Sequence, residues 1–162
     1  MERIKIRRAR KEDSKDFLKL VVELANFEKL EPPSPAARRR ITRDIFEKKR
    51  LNLVLAASNV AGTVGYALYF YTYSSFLARP TLYLEDLYVS KEFRGKKIGR
   101  DLFTYCVREA ARNRCGRMEW AVLTWNKKAI DFYERRGARR LAEWYYYRLD
   151  GNGIERLLAR ER

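Results

Sequence analysis

Apolar and polar positions change their period several times along the chain, and each change marks an element. Ile4 and Ile6 alternate with Arg3, Lys5 and Arg7, the period-two pattern of a half-buried strand. From Lys11 to Phe27 the period lengthens. Phe17, Leu20, Val21, Leu24 and Phe27 fall on one helical face, with Asp13 or Ser14 placed to cap it. Glu31-Pro32-Pro33-Ser34-Pro35 lacks donors and fixes φ repeatedly, so it predicts a loop. Ser34 can then cap a second helix, with Pro35 at its first position, running through Ile41, Ile45 and Phe46 to about Lys49. Leu51 to Ala57 reads as a buried strand, Ser58 to Gly62 as a turn, and Thr63 to Tyr71 as a strand rich in β-branched and aromatic residues. A loop over Ser74, Ser75 and Pro80 leads to a strand at Thr81–Val89. Ile98, Leu102, Cys106 and Ala110 form a helical stripe, and Arg117 to Leu123 alternates as a strand. Asn126 to Arg136 reads as a short helix ended by Gly137. Trp144–Leu149 and Ile154–Ala159 read as two last strands, joined by a hairpin turn at Asp150-Gly151-Asn152-Gly153.

The resulting order, β-α-α-β-β-β-α-β-α-β-β, predicts an α/β fold with a mixed central sheet and helices on both faces. With 162 residues and no repeats or linker, a single domain over 1–162 is expected, large enough for a core without disulfides. No apolar run approaches the roughly 18 residues that span a bilayer, and Met-Glu-Arg-Ile-Lys-Ile lacks a signal-peptide core. The expectation is a cytoplasmic protein with no membrane partner.

Composition narrows the chemistry. The chain has no histidine, which removes Ser-His and Cys-His nucleophile schemes. No cluster offers zinc ligands, so no metal is expected. Cys106 and Cys115 lie on one predicted helix, too far apart to bridge each other. Proton transfer is left to carboxylates, tyrosine, lysine, cysteine or water. The 36 basic residues outnumber the 21 acidic ones, a net charge of +15. Such a field attracts polyanions. Together with the absence of glutamine it also matches the surface habit of thermophilic proteins. It leaves room for nucleic-acid contact without requiring it.

Between the strand ending at Val89 and the helix starting near Lys97 lies Arg94-Gly95-Lys96-Lys97-Ile98-Gly99. A strand, a basic loop with two glycines and a helix start make an anion site, because unpaired N–H groups converge there and the dipole favours phosphate. Gly95 and Gly99 let a bulky ligand approach the backbone, and Arg94, Lys96, Lys97 and Arg100 can add charge-assisted contacts. The run is neither a Walker loop nor a dinucleotide fingerprint. It resembles the pyrophosphate loop of the GNAT N-acetyltransferases, which bind acetyl-coenzyme A there.

Further motifs sharpen the resemblance. They are Leu24-Ala25-x-Phe27-Glu28, Phe70-Tyr71-Thr72-Tyr73, Tyr83-Leu84-Glu85-Asp86-Leu87-Tyr88-Val89 and Phe93-Arg94-Gly95-x-x-Ile98-Gly99. To these is added Trp125-Asn126-x-x-Ala129-Ile130-x-Phe132-Tyr133-x-Arg135-Arg136-Gly137-Ala138. Over nearly the whole chain they are similar to the spermidine/spermine (diamine) N-acetyltransferases. The resemblance implies a GNAT-like, mostly antiparallel sheet, acetyl-CoA as cosubstrate, a small-molecule amine as acceptor and a homodimer. It implies that Leu87, Tyr88 and Val89 offer backbone groups to the pantetheine arm and thioester. Arg94, Gly95, Lys96, Lys97, Ile98, Gly99 and Arg100 would cradle the pyrophosphate, and Asn126, Lys127, Lys128 and Ala129 would line the far side of the arm. Tyr133 would be the general acid and Glu85 the base, through water. Phe27, Glu28, Glu85, Asp86, Glu119, Trp120 and Ala121 would form the substrate wall.

The residues suit these roles. A tyrosine with a pKa near ~10 keeps a proton to give to a thiolate whose parent thiol lies near ~8.5, and carboxylates attract an ammonium. The departures are Lys96 and Lys97, where the family usually has glycine or a small or aromatic residue, and Ser74, where it often has an acid. Two other readings stand beside the diamine one. They are a protein lysine or N-terminal acetyltransferase, and a non-catalytic acetyl-CoA or nucleic-acid binding module.

Overall fold

The computed structural model describes residues 2–161 and divides into two compact units, one up to Ala121 and one from Val122. The first unit is built on a five-stranded sheet. Its strands are β1 (Ile4–Arg8), β2 (Asn52–Ser58), β3 (Gly62–Ser74), β4 (Arg79–Val89) and β5 (Arg117–Glu119), in spatial order β1-β2-β3-β4-β5. Every pairing is antiparallel except β4 with β5, which is parallel. The sheet is therefore mixed and mostly antiparallel, as expected.

Period-two alternation divides the strand side chains between two faces. Leu53, Leu55, Tyr66, Leu68 and Tyr88 form one core cluster with Phe17 and Leu20 of α1 (Ser14–Glu28) and Ile45 of α2 (Pro35–Phe46). Ser34 caps α2 by accepting from the Ala37 N–H at 3.2 Å, with Pro35 at the first position. The opposite face receives α3 (Ile98–Arg112), whose stripe Ile98, Leu102, Cys106 and Ala110 is buried in full. Helices thus cover both faces. A Cβ on Gly65 would stand 2.8 Å from the Tyr88 carbonyl, so only glycine lets β3 and β4 approach there.

Three strand boundaries differ from the sequence pattern. β3 runs on to Ser74 and β4 begins at Arg79, so Pro80 lies within a strand, opposite Tyr73. Proline is tolerated at this strand start because the Pro80 carbonyl still accepts, from the Gly116 N–H at 2.9 Å. β5 is shorter than Arg117–Leu123. It pairs only with Thr81–Tyr83, and the ladder stops just ahead of an irregularity in β4. There Leu68 faces Asp86 and Tyr69 faces Leu84, leaving Glu85 as the extra, bulged residue. A bulge bends its strand and raises the twist.

The second unit holds α4 (Lys127–Glu134) and α5 (Gly151–Arg160). Asn126 caps α4 through the Ala129 N–H at 3.3 Å, and Gly137 follows the helix with φ +84°. The expected hairpin is not formed. Trp144–Leu149 lies in no strand, and Ile154–Ala159 is helical. Asp150 starts the helix by accepting from the Gly153 N–H at 2.7 Å, the geometry of an N-cap in place of a turn. Ile154, Leu157 and Leu158 recur at helical spacing, a period also compatible with the sequence.

Candidate active site

The bulge in β4 sets the orientation of two adjacent carboxylates. Glu85 is exposed, whereas Asp86 turns inward and accepts a hydrogen bond from the buried Tyr66 hydroxyl at 3.1 Å. Burial first, and then the neighbouring Glu85 and Glu28, push the Asp86 carboxyl up to about 6, against the opposing pull of the Tyr66 hydrogen bond. Burial also raises Glu28, at the end of α1, and raises Tyr66 well above its ordinary range. Among the described residues no lysine or arginine lies within 4 Å of Glu28, Glu85 or Asp86. In a chain with 36 basic residues this is an unusual vacancy of positive charge. A carboxylate pair neutralised by arginine or lysine is therefore not what the sequence placed here.

Glu23, which sequence reasoning missed, joins α1 to the end of β4. Its carboxylate accepts from the Tyr88 hydroxyl at 3.2 Å and from the Ser90 hydroxyl at 2.8 Å. Tyr66 was missed as well. Its only sequence signal is a tyrosine in a strand. The bond to Asp86 depends on cross-strand register, which places Tyr66 opposite Tyr88 and Asp86 opposite Leu68.

The loop after β4 has the backbone of an anion cradle. Gly95 takes φ +79° with nothing within 4 Å of where a Cβ would stand. Lys97 is left-handed, at φ 66° and ψ 1°, and α3 begins behind it without a side-chain cap. Beside Gly99 the nearest neighbour to a Cβ would be a Val89 methyl at 3.8 Å. Open space in front of an uncapped helix start fits a phosphate. The cations divide between two tasks. Arg94 turns back on the strand, donating from Nε to the Val89 carbonyl at 2.9 Å and stacking over Phe27 at 4.9 Å and Tyr88 at 5.4 Å. It braces the loop against the Phe27 wall. Lys96 lies 3.5 Å from Glu2 and over the Phe93 ring, and Arg100 pairs with Asp101 at 2.9 Å. Lys97 has no carboxylate within 4 Å among the described residues.

Beyond Tyr83 the β4 backbone has no ladder with β5, so Leu87, Tyr88 and Val89 lie on a strand edge that an extended arm can join. The Tyr88 ring is engaged by Glu23 and Arg94, and its carbonyl faces Gly65 of β3. Of the other substrate-wall residues, Glu119 stands on β5 and pairs with Arg117 at 3.0 Å. Trp120 packs edge-on against Phe103 of α3 at 5.5 Å, and Ala121 is exposed. The first unit thus brings together Phe27, Glu28, Glu85, Asp86 and the Arg94–Arg100 loop. Asn126, Lys127, Lys128, Ala129 and Tyr133 belong to the second unit, where Tyr133 is half-buried with its ring 5.2 Å from Phe132. Neither thiol is set up to ionise. Burial pushes Cys106 up to about 12 and raises Cys115.

An open basic loop at an uncapped helix start, an unpaired strand edge and, among the described residues, carboxylates with no cation within 4 Å lie on one mixed sheet, an arrangement suited to an acyltransferase. The acetyltransferase (GNAT) family model matches residues 18–138. The thialysine N-epsilon-acetyltransferase of Sus scrofa is 33% identical, over 97% of this chain and 98% of its own. The spermidine/spermine N(1)-acetyltransferase-like protein 1 of Homo sapiens is 31% identical over 93% of this chain, which spans 23% of that longer protein. Among solved structures, an integron cassette protein from the V. cholerae mobile metagenome superposes with a TM-score of 0.80 at 26% identity, covering 96% of this chain and 97% of its own. The chain belongs to the GNAT acetyltransferase family. It is an N-acetyltransferase, and enzymes of this family use acetyl-CoA as cosubstrate.

Proposed function

We propose that the chain acetylates a primary amine of a small diamine or polyamine, or of a thialysine-like amino acid. The observation that carries this reading is that, among the described residues, no basic side chain lies within 4 Å of Glu28, Glu85 or Asp86. Carboxylates left without an internal counter-ion favour an ammonium from outside. The match to thialysine and spermidine/spermine-type relatives supports the same acceptor class.

In the reaction, Glu28 and Asp86 hold the ammonium and exposed Glu85 takes its proton through water. The freed nitrogen attacks the thioester carbon, a C–N bond forms and the C–S bond breaks. Tyr133 donates its proton to the departing thiolate and is reprotonated, through water, by the second proton that the nitrogen sheds as the amide forms. The Arg94–Arg100 loop holds the pyrophosphate, Leu87, Tyr88 and Val89 the pantetheine arm, and Asn126, Lys127, Lys128 and Ala129 its far side. The reading includes one catalytic domain, a homodimer and a cytoplasmic setting. Its family match runs across both compact units.

The experiment is an amine panel with acetyl-CoA, read by thiol release. Spermidine, putrescine, thialysine and a lysine peptide are compared for the parent, Glu85→Gln and Tyr133→Phe. A small diamine or thialysine should react fastest, and each variant should lose roughly 10²–10⁴-fold in kcat, the range for a positioned acid or base. The Glu85→Gln deficit should shrink as rising pH supplies free amine. A lysine peptide that outruns every small amine would refute the acceptor class.

A further inference from the structure

Much of the positive charge has no task in acetyl transfer, and part of it gathers on one face. A cleft of about 230 Å³ is lined by Leu18 of α1 and by Arg38, Arg39, Thr42, Arg43 and Glu47 on and just beyond α2. Lys15 lies on the same stripe of α1 as Leu18, Lys11 stands in the 3-10 turn that leads into α1, and both are exposed. From Arg38 to Lys49 the chain also carries Arg40 and Lys48.

Little of this charge is neutralised. Lys11 approaches Glu47 at 3.5 Å and Arg43 approaches Asp44 at 3.3 Å. Arg38 is held by the Pro33 carbonyl at 2.8 Å, which orients the guanidinium without cancelling it. Among the described residues, Lys15, Arg38, Arg39 and Arg40 have no carboxylate within 4 Å. A surface adapted only for heat would link such charges into ion-pair networks. Here they remain open. The α2 N-terminus contributes nothing, because Ser34 already caps it.

We propose that this α1–α2 face docks the phosphate backbone of double-stranded nucleic acid, without reading its sequence. Arg38 to Arg43 covers about 7.5 Å of helix axis, the length over which one strand of a duplex presents about two phosphates. Guanidinium forks match phosphate oxygens in pairs. A single strand is disfavoured because no aromatic side chain lines the cleft to stack on bases. A membrane is disfavoured because the only apolar lining residue, Leu18, is half-buried among cations and has nothing to insert.

The test uses the full chain with saturating coenzyme A, so that the Arg94–Arg100 loop is occupied. Anisotropy of a labelled duplex of about 20 base pairs is followed from roughly 50 to 200 mM salt. Removing Arg38, Arg39 and Arg43 together as serines should flatten the slope of log K against log salt by about 2 to 3, at ~0.9 per phosphate contact. The single change Arg39→Ser, at an exposed side chain, should flatten it by about 0.9 and guards against a folding defect in the triple variant. Arg3→Ser, Lys5→Ser and Arg108→Ser combined remove equal charge elsewhere and should leave the slope unchanged. The proposal is overturned if the parent fails to bind duplex, or if the control loses as much as the cleft variant. Tighter binding to a single strand or to anionic vesicles, dependent on the same arginines, would also overturn it.

Discussion

The two compact units handle apolar side chains in opposite ways. Up to Ala121, large residues such as Phe17, Tyr66, Tyr69, Leu55 and Leu102 are fully buried between the sheet and its helices. Among the described residues from Val122 onward, no large side chain is buried, and of the helical ones only Gly153 is. Trp144, Tyr145, Tyr146 and Tyr147 are all at least 75% exposed, and α5 presents Ile154, Leu157 and Leu158. The first unit closes a core within itself, and its stability can be read from its own contacts. The second has too few residues to bury a core alone, and its helices start at caps formed by Asn126 and Asp150.

The sharpest test of that contrast is one truncation made in each unit. Leu102→Ala empties a fully buried position under α3 and should cost about 2–5 kcal/mol of unfolding free energy. Leu157→Ala, at 47% exposure on α5, should cost less than about 0.5 kcal/mol. Chemical denaturation measures both. Similar losses at the two sites would mean that Leu157 is covered in the working protein, and the contrast would fail.

The same division separates what the sequence made legible from what it did not. In the first unit, amphipathic periods recur over long elements, and the stripe Ile98, Leu102, Cys106 and Ala110 is buried where the pattern puts it. The loop from Arg94 to Gly99 could be recognised because its glycines and cations are adjacent in the chain. The bulge at Glu85 and the Tyr66–Asp86 bond could not, because each depends on which residue of β3 faces which residue of β4. In the second unit the signal itself was ambiguous. Asp150-Gly151-Asn152-Gly153 suits a hairpin turn and an N-cap alike, and no buried partner strand decides for the turn.

Within the first unit, the candidate site departs from the stability of its surroundings. Asp86 is pushed from the ordinary aspartate value near ~4 to about 6 by burial. The native state then binds that proton more readily than the unfolded chain. The stabilisation is complete below about pH 4 and is lost as pH rises through about 6. Asp86→Asn keeps an acceptor for the Tyr66 hydroxyl and removes the titration. It should match the parent at pH 4 and exceed it above pH 7 by about 3 kcal/mol, at ~1.4 kcal/mol per pKa unit. Amine affinity should fall at the same time, since the ammonium loses a partner. Denaturation midpoints at the two pH values decide the matter: a variant less stable than the parent at pH 7 would show that the carboxylate is stabilised by a partner.

The smallest effect concerns backbone strain, where the two units again differ. Gly137 follows α4 at φ +84°, whereas Lys97 precedes α3 at φ 66°. Glycine takes such a conformation freely, and a residue with a Cβ does so at a cost of ~1–2 kcal/mol. Two variants isolate that cost. Lys97→Gly and Lys97→Ala remove the same charge, so the KM for acetyl-CoA should rise alike in both if Lys97 helps to hold the pyrophosphate. Their stabilities should differ. At an ordinary φ, alanine is the more stable by about 0.4–1 kcal/mol, because glycine loses more freedom on folding. At a left-handed position the order reverses, and Lys97→Gly should be the more stable by roughly 0.5–1 kcal/mol. The sign of this difference, read from paired denaturation curves, is the observable. Alanine as the more stable variant would place residue 97 at negative φ and remove the strained turn that opens the cradle.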